Sequence, residues 1–194
     1  MKKLFLILFV IVFCIPAFPQ SLISIDGFVI SMVNNKPIRN CLVTIKECSG
    51  GDMTDSLGRF TLNDLKPNIN YTLSAWSWGY DDFDSTIVLS EDANTEYLIK
   101  LSADCPADAK TAIEDINNGE PKLLLVGSIA PIGNTGIDYE FENKYGIKYY
   151  DFGCSPPADA CIEEYNKVIF KYLTEKYGSE WKESVRRDVC FLEI

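Results

Sequence analysis

The chain has 194 residues, 47% of them hydrophobic, which is enough to fill two small cores or one larger one. Its formal net charge is −10, from 28 acidic and 18 basic residues, and phosphates would be repelled, which disfavours nucleic acid and anionic lipid as partners. There is no histidine. His-based triads, His-ligated zinc and imidazole acid–base chemistry are therefore excluded, and any catalysis would rest on Asp, Glu, Cys, Lys, Tyr or Ser.

The chain begins Met1-Lys2-Lys3 and continues through an almost wholly apolar run, Leu4 to Ile15. A short cationic start before such a run is a signal-peptide pattern. The run is shorter than the about 20 residues a bilayer span needs. Ala17-Phe18-Pro19-Gln20 ends it, so residues 1–20 are read as a signal peptide cleaved near Gln20, although the small-x-small pattern is poorly met there. Loss of Lys2 and Lys3 takes the net charge to about −12. The destination expected is periplasmic, cell-surface or secreted. Phe13 stands where a lipobox has a small residue before its cysteine, so contact with the membrane is expected only if Cys14 is lipidated.

Residues 21–103 read as successive short strands. Ile23 to Ser31 alternates, with Ile25 and Val29 on one face and Phe28 and Ile30 on the other. Asn34-Asn35-Lys36-Pro37 signals a turn. Leu42 to Lys46, Arg59 to Leu62, Tyr71 to Trp78, Thr86 to Leu89 and Glu96 to Leu101 follow as strands. Phe60 and Leu62 share a face; Tyr71, Leu73 and Ala75 oppose Trp76 and Trp78. Regular short strands separated by turns predict a β-sandwich.

The most specific stretch is Thr54-Asp55-Ser56-Leu57-Gly58-Arg59-Phe60. Asp55 can cap a tight turn, Gly58 can take a positive φ without steric cost, and Phe60 then enters the core. Together with Gly27-Phe28-Val29, Pro37-Ile38 and Gly79-Tyr80, in that order and at that spacing, this stretch resembles the carboxypeptidase-regulatory-like domains common in exported Bacteroidetes proteins. The resemblance implies a transthyretin-like/Ig-like β-sandwich of about seven strands. It also implies a domain that accompanies others and has no catalytic residues of its own. It does not imply peptidase activity.

In residues 104–194 the period shifts toward 3.6. Pro106 opens a predicted helix with Ala109, Ala112, Ile113 and Ile116 on one stripe, stopped by Gly119 and Pro121. Lys122 to Val126 reads as a buried strand, Gly127 to Gly136 as a loop, and Phe141 and Tyr145 share the face of a short helix ended by Gly146. Ile147 to Phe152 reads as a second strand. A helix capped by Asp159 then carries Ile162, Tyr165, Ile169, Tyr172 and Leu173 to Gly178, and Ser179 can cap a last helix bearing Trp181 and Val185. The expected architecture is α+β: the sandwich followed by a small α/β unit whose thin sheet leans on it. The segment Phe141 to Gly153 looks like a theme in Bacteroidetes proteins to which no activity attaches.

Beyond the signal peptide the cysteines are Cys41, Cys48, Cys105, Cys154, Cys161 and Cys190. An even number in an exported chain suggests disulfides, and six allow 15 pairings. Cys41 and Cys48 on one extended strand would stand roughly 23 Å apart, against a bridge requirement of about 5.5 Å. Cys154 and Cys161 flank Pro156-Pro157, which turns the chain, and this pair is the favoured bridge. The C-x6-C spacing fits neither a zinc site nor a Cys-x-x-Cys redox pair.

Other candidates weigh toward structure. The loop from Gly127 to Gly136 stands where a phosphate loop would, but lacks the Gly-Lys-Ser/Thr signature. Asp138, Glu140, Glu142 and Asp151 could supply paired carboxylates, which need a fixed separation that sequence does not show; a solvated acidic face is the plainer reading. Trp76, Trp78, Tyr80 and Phe83 could stack on sugars. No catalytic residue, metal or cofactor is assigned. The expectation is an exported non-catalytic binding or accessory module of the cell envelope, its partner an unidentified protein or carbohydrate. The alternative is a small hydrolase using carboxylates or a cysteine in the C-terminal half.

Overall fold

The computed structural model describes residues 22–90, 96–127 and 133–193. The signal-peptide reading of residues 1–20, and Cys14 with it, lies outside the described residues.

The first part is a β-sandwich. Strands β1 (Ile23–Ser31), β4 (Arg59–Leu65) and β7 (Glu96–Leu101) form one sheet in the order β4-β1-β7. Strands β2 (Leu42–Ile45), β3 (Gly51–Met53), β5 (Asn70–Trp76) and β6 (Phe83–Val88) form the other in the order β3-β2-β5-β6. All pairings are antiparallel except β1 with β7, which is parallel. Alternation decides which side chains enter the space between the sheets. Ile25, Val29, Val43, Ile45, Phe60, Leu62, Tyr71, Leu73, Ala75 and Ile99 are all buried there. Strand β3, Gly-Asp-Met, carries no strand-forming pattern; it is drawn into the sheet by its hairpin with β2, Leu42 opposite Met53 and Thr44 opposite Gly51.

The turn from Thr54 to Phe60 is built as its residue types require. Asp55 Oδ1 accepts from the backbone N–H of Leu57 at 2.8 Å and of Arg59 at 2.9 Å. Gly58 has φ +74, and a Cβ on it would stand 2.5 Å from the Val29 carbonyl oxygen. Thr54 is buried, and its hydroxyl accepts from Cys41 N–H at 2.9 Å and donates to Ile38 O at 2.6 Å. Thr54→Val keeps the shape and leaves both backbone groups without a partner. It should lower stability by about 1–3 kcal/mol. Guanidinium unfolding measures this, and a loss below about 0.5 kcal/mol would contradict the role given to the hydroxyl.

The second part is a β-α-β unit flanked by helices. Helix α1 (Ala109–Asn118) is capped by Asp108, whose Oδ1 accepts from Thr111 N–H at 2.8 Å, so the helix begins three residues beyond Pro106. Strand β8 (Lys122–Leu125) leads through α2 (Gly136–Tyr145) to β9 (Lys148–Asp151), which pairs parallel to β8. Helix α3 (Asp159–Tyr177) covers this sheet, and a 3-10 turn follows at Glu180–Glu183. Ala158, not Asp159, occupies the N-cap of α3; Asp159 stands in the first turn, where its charge complements the helix dipole. Phe141, Tyr145, Ile162, Tyr165, Ile169, Leu173 and Trp181 fill the second core with Leu123, Leu124 and Leu125.

The chain end completes that sheet. Val189 bridges Leu125, and Cys190 N–H donates to Leu124 O at 3.2 Å. Asn166, fully buried on α3, is the clamp: its side chain accepts from Leu124 N–H at 2.9 Å and donates to Leu124 O at 3.0 Å and Cys190 O at 2.9 Å. One amide thus bonds both backbone groups of Leu124 and the carbonyl of Cys190.

The favoured cysteine pair is corrected by the structure. Cys161 bonds to Cys105, with Cα atoms 5.4 Å apart, and Cys154 is an exposed free thiol. Proline fixes φ and biases the preceding residue toward extended backbone, so Pro156-Pro157 carries Cys154 away from α3 instead of folding it back. Cys161 lies on the buried side of the first turn of α3, facing the linker that follows β7.

Candidate functional site: the cleft between the two halves

The two halves touch through α3 and the turns at one end of the sandwich. Glu163 of α3 pairs with Lys36 and accepts from Asn34 Nδ2 at 3.0 Å. Burial acts to raise the Glu163 pKa, but Lys36 and Lys167 outweigh it and hold the carboxyl below its ordinary value. Trp78 Nε1 donates to Pro156 O at 3.1 Å. Gly79 lies directly against Pro157 and Ala158, at the N-cap of α3.

Beside this contact is a cleft of about 380 Å³. Its sandwich wall carries Arg39, Asn40, Trp76 and Trp78; its other wall carries Asp159 and Phe191. Trp76 and Trp78 are 50% and 56% exposed. Tyr80 lines the floor, where burial pushes its hydroxyl pKa up despite a hydrogen bond with Ser31. Phe83 stands apart, lining a smaller hollow of about 160 Å³ that shares Trp76 with the cleft. Three of the four aromatic candidates are therefore brought together. Phe191 was not legible as a site residue, because only the return of the chain end along β8 carries it there.

Three of the four carboxylate candidates have structural tasks. Asp138 accepts from Thr135 N–H at 2.7 Å and closes the start of α2. Glu142 is buried and holds Lys148 Nζ at 2.8 Å and Tyr149 N–H at 3.0 Å. Glu140 is exposed, and Asp151 Oδ1 accepts from Gly153 N–H at 2.7 Å. Asp138, Glu142 and Asp151 are thus engaged in holding the α/β unit. Residues 128–132 of the glycine-containing loop lie outside the described residues. Among the described residues no group of three or more Cys, Asp or Glu side chains is placed to hold a metal ion.

Comparison with known families resolves the first half. Residues 24–102 match the family model of the carboxypeptidase regulatory-like domain. This segment is a carboxypeptidase regulatory-like domain. The Thr54–Phe60 turn and Gly79-Tyr80 are thereby features of the matched region, and in the structure Gly79-Tyr80 is where this domain receives the second half of the chain.

No curated protein matches the chain. Among solved structures, similarity extends to the TIE protein of Bacillus anthracis, at 12% identity over 56% of this chain and 19% of that one, with a TM-score of 0.36. The minor pilin GBS52 of Streptococcus agalactiae is 14% identical over 44% of this chain and 46% of the pilin, TM-score 0.36. A 3-chlorocatechol 1,2-dioxygenase from Rhodococcus opacus is 13% identical over 44% and 60%, TM-score 0.36. The chain spans less than two thirds of each of these proteins, and enzyme and pilin stand side by side among them, so the likeness transfers no activity.

Proposed function

We propose that the chain is an exported, non-catalytic binding or accessory module of the bacterial cell envelope. The carboxypeptidase regulatory-like domain serves as the scaffold, and the α/β half completes a ligand-binding surface on it. The observation that carries this reading is the composite cleft: neither half alone has both walls, and its rim presents two half-exposed tryptophans.

Two further facts support it. The Cys105–Cys161 disulfide suits an oxidising compartment, as does the cationic-apolar start of the sequence. Three of the four candidate carboxylates, Asp138, Glu142 and Asp151, are committed to helix and strand contacts.

The test has two parts. Expressed from its own Met1 in a Gram-negative host, the chain should be recovered outside the cytoplasm, with its first residue at or beside Ser21 by mass spectrometry. Soluble fractions of the cell envelope should then shift the indole N–H resonances of Trp76 and Trp78 and leave the buried Trp181 unmoved. A cytoplasmic chain that keeps Met1, or indole signals that no envelope fraction perturbs, would overturn the reading.

A further inference from the structure

We infer that the cleft is a site for a neutral oligosaccharide, with a sugar ring against Trp76 and its hydroxyls held by Arg39, Asn40 and Asp159. This rests on the binding-module reading above and names its ligand class.

Size and shape come first. At about 380 Å³ the cleft is within the about 300–1,000 Å³ range of small-ligand sites. Three rings border it: Trp76, Trp78 and Phe191, the last 44% exposed. Single exposed aromatics are ordinary surface features, but three around one hollow are not. The face of an indole is electron-rich and favours the polarised C–H groups of a pyranose face. Trp78 has its N–H committed to Pro156 O, which fixes its ring. Trp76 has no such bond among the described residues, so both its face and its N–H are open to a ligand.

Phe191 adds an independent sign. Its φ is +62, a left-handed conformation that a bulky side chain adopts at a cost. The strain is held from both sides: Cys190 is fixed to Leu124 and Asn166, and Lys182 Nζ donates to Glu193 O at 2.8 Å. The fold thus imposes an unfavourable backbone and presents a half-exposed ring at the cleft. Strain retained in this way marks functional positions.

Charge selects among ligands. Lys36 and Glu163 neutralise one another. Arg39 and Asp159 are one charge of each sign and enter no ion pair among the described residues. The cleft is therefore close to neutral within a chain of net charge −10, which disfavours phosphorylated and polyanionic ligands. A guanidinium, a carboxylate and the Asn40 amide are planar groups that bond two adjacent hydroxyls at once. That equipment suits a polyhydroxylated ring and is too polar for an acyl chain.

The experiment titrates the oxidised mature chain with short cello-, xylo-, manno- and chito-oligosaccharides, a uronic-acid oligosaccharide and an extended peptide, following the indole N–H resonances. At least one neutral oligosaccharide should give a saturable shift of Trp76 and Trp78, with Trp181 still. Trp76→Ala should weaken that binding about tenfold or more, Trp76→Phe less, and Arg39→Ala several-fold. Both positions are exposed, and unchanged amide resonances of Val43 and Leu73, within the sandwich core, confirm that each variant is folded. No saturation by any neutral oligosaccharide at about 10 mM, or binding that survives Trp76→Ala undiminished, overturns the assignment. If the peptide or the uronic-acid oligosaccharide alone moves the cleft signals, the neutral-glycan assignment falls and the binding module stands. If nothing, envelope fractions included, moves them, both fall.

Discussion

Breaking the Cys105–Cys161 disulfide should lower the stability of the C-terminal half by about 4 kcal/mol. The bond closes a loop of 56 residues in sequence separation, and a cross-link of that span restricts the unfolded chain by about this amount. Against a total stability of about 5–15 kcal/mol for a domain, the loss is large. It should also be local, because the loop contains α1, β8, α2 and β9, whereas every strand of the sandwich lies before Cys105. Trp181 reports it: the ring is fully buried and stacked on Phe170 at 5.6 Å between centroids, so its emission shifts when this half unfolds. Guanidinium titrations with and without a reductant should show the Trp181 transition moving to lower denaturant. Cys105→Ala with Cys161→Ala should reproduce the reduced curve. Cys154→Ser, at an exposed free thiol, should move the midpoint by less than about 0.5 kcal/mol. Curves that coincide with and without reductant would refute the bond.

The sandwich was legible because its information is local. Each strand announced its own inward face: Ile25 with Val29, Phe60 with Leu62, and Tyr71, Leu73 and Ala75 are all buried where alternation placed them. The turn at Asp55 and Gly58 was legible for the same reason, since an Asx turn and a positive φ are demands made within a few residues. Strand β3 was not, because Gly51-Asp52-Met53 is extended only through its partner β2. The parallel pairing of β1 with β7 joins the two ends of the sandwich, and no local pattern encodes it.

The same division separates what was read at the site from what was missed. Trp76 and Trp78 were legible as outward aromatics opposite a buried face. Their meeting with Arg39, Asp159 and Phe191 depends on how α3 and the chain end pack. The disulfide was misread because a spacing argument can weigh only neighbours in sequence, and the true partner of Cys161 lies 56 residues away. Asn166 gave no sign at all: an asparagine within a helix is usually a solvated residue, and only the unfinished edge of β8 makes it a clamp. Gly79-Tyr80 was recognised through family resemblance; in this chain Gly79 meets Pro157 and Ala158 while Tyr80 packs on the sandwich core.

Gly79→Ala should undock the two halves. Gly79 has φ +79, where an alanine is strained by about 1–2 kcal/mol. An added Cβ would stand 2.3 Å from Ala158 N, and 2.7 Å from Ala158 Cα and from Pro157 C. These are backbone atoms, so no rotamer relieves the overlap. Ala158 cannot yield cheaply, because its carbonyl accepts from Cys161 N–H at 2.9 Å and begins α3. Strain and overlap together should cost about 3 kcal/mol, comparable with what the indole hydrogen bond, the Asn34–Glu163 hydrogen bond and the half-buried Lys36–Glu163 pair return together. Each half keeps its own core, so the contact should open while both remain folded. The Trp78 indole N–H, now bonded to Pro156, should exchange with solvent faster, and amides of residues 158–163 should lose protection by mass spectrometry. Acid should act in the same direction on the wild-type chain. Burial acts to raise the Glu163 pKa, but Lys36 and Lys167 hold it below its ordinary value, so its contribution to docking is complete above the usual carboxylate range near about 4.3 and is lost as pH falls through the lowered pKa. Exchange at Trp78, corrected for the intrinsic pH dependence, should therefore rise on acidification in the wild type and stay flat in Glu163→Gln. Unchanged protection in Gly79→Ala would mean that the two halves are held together by something other than this contact.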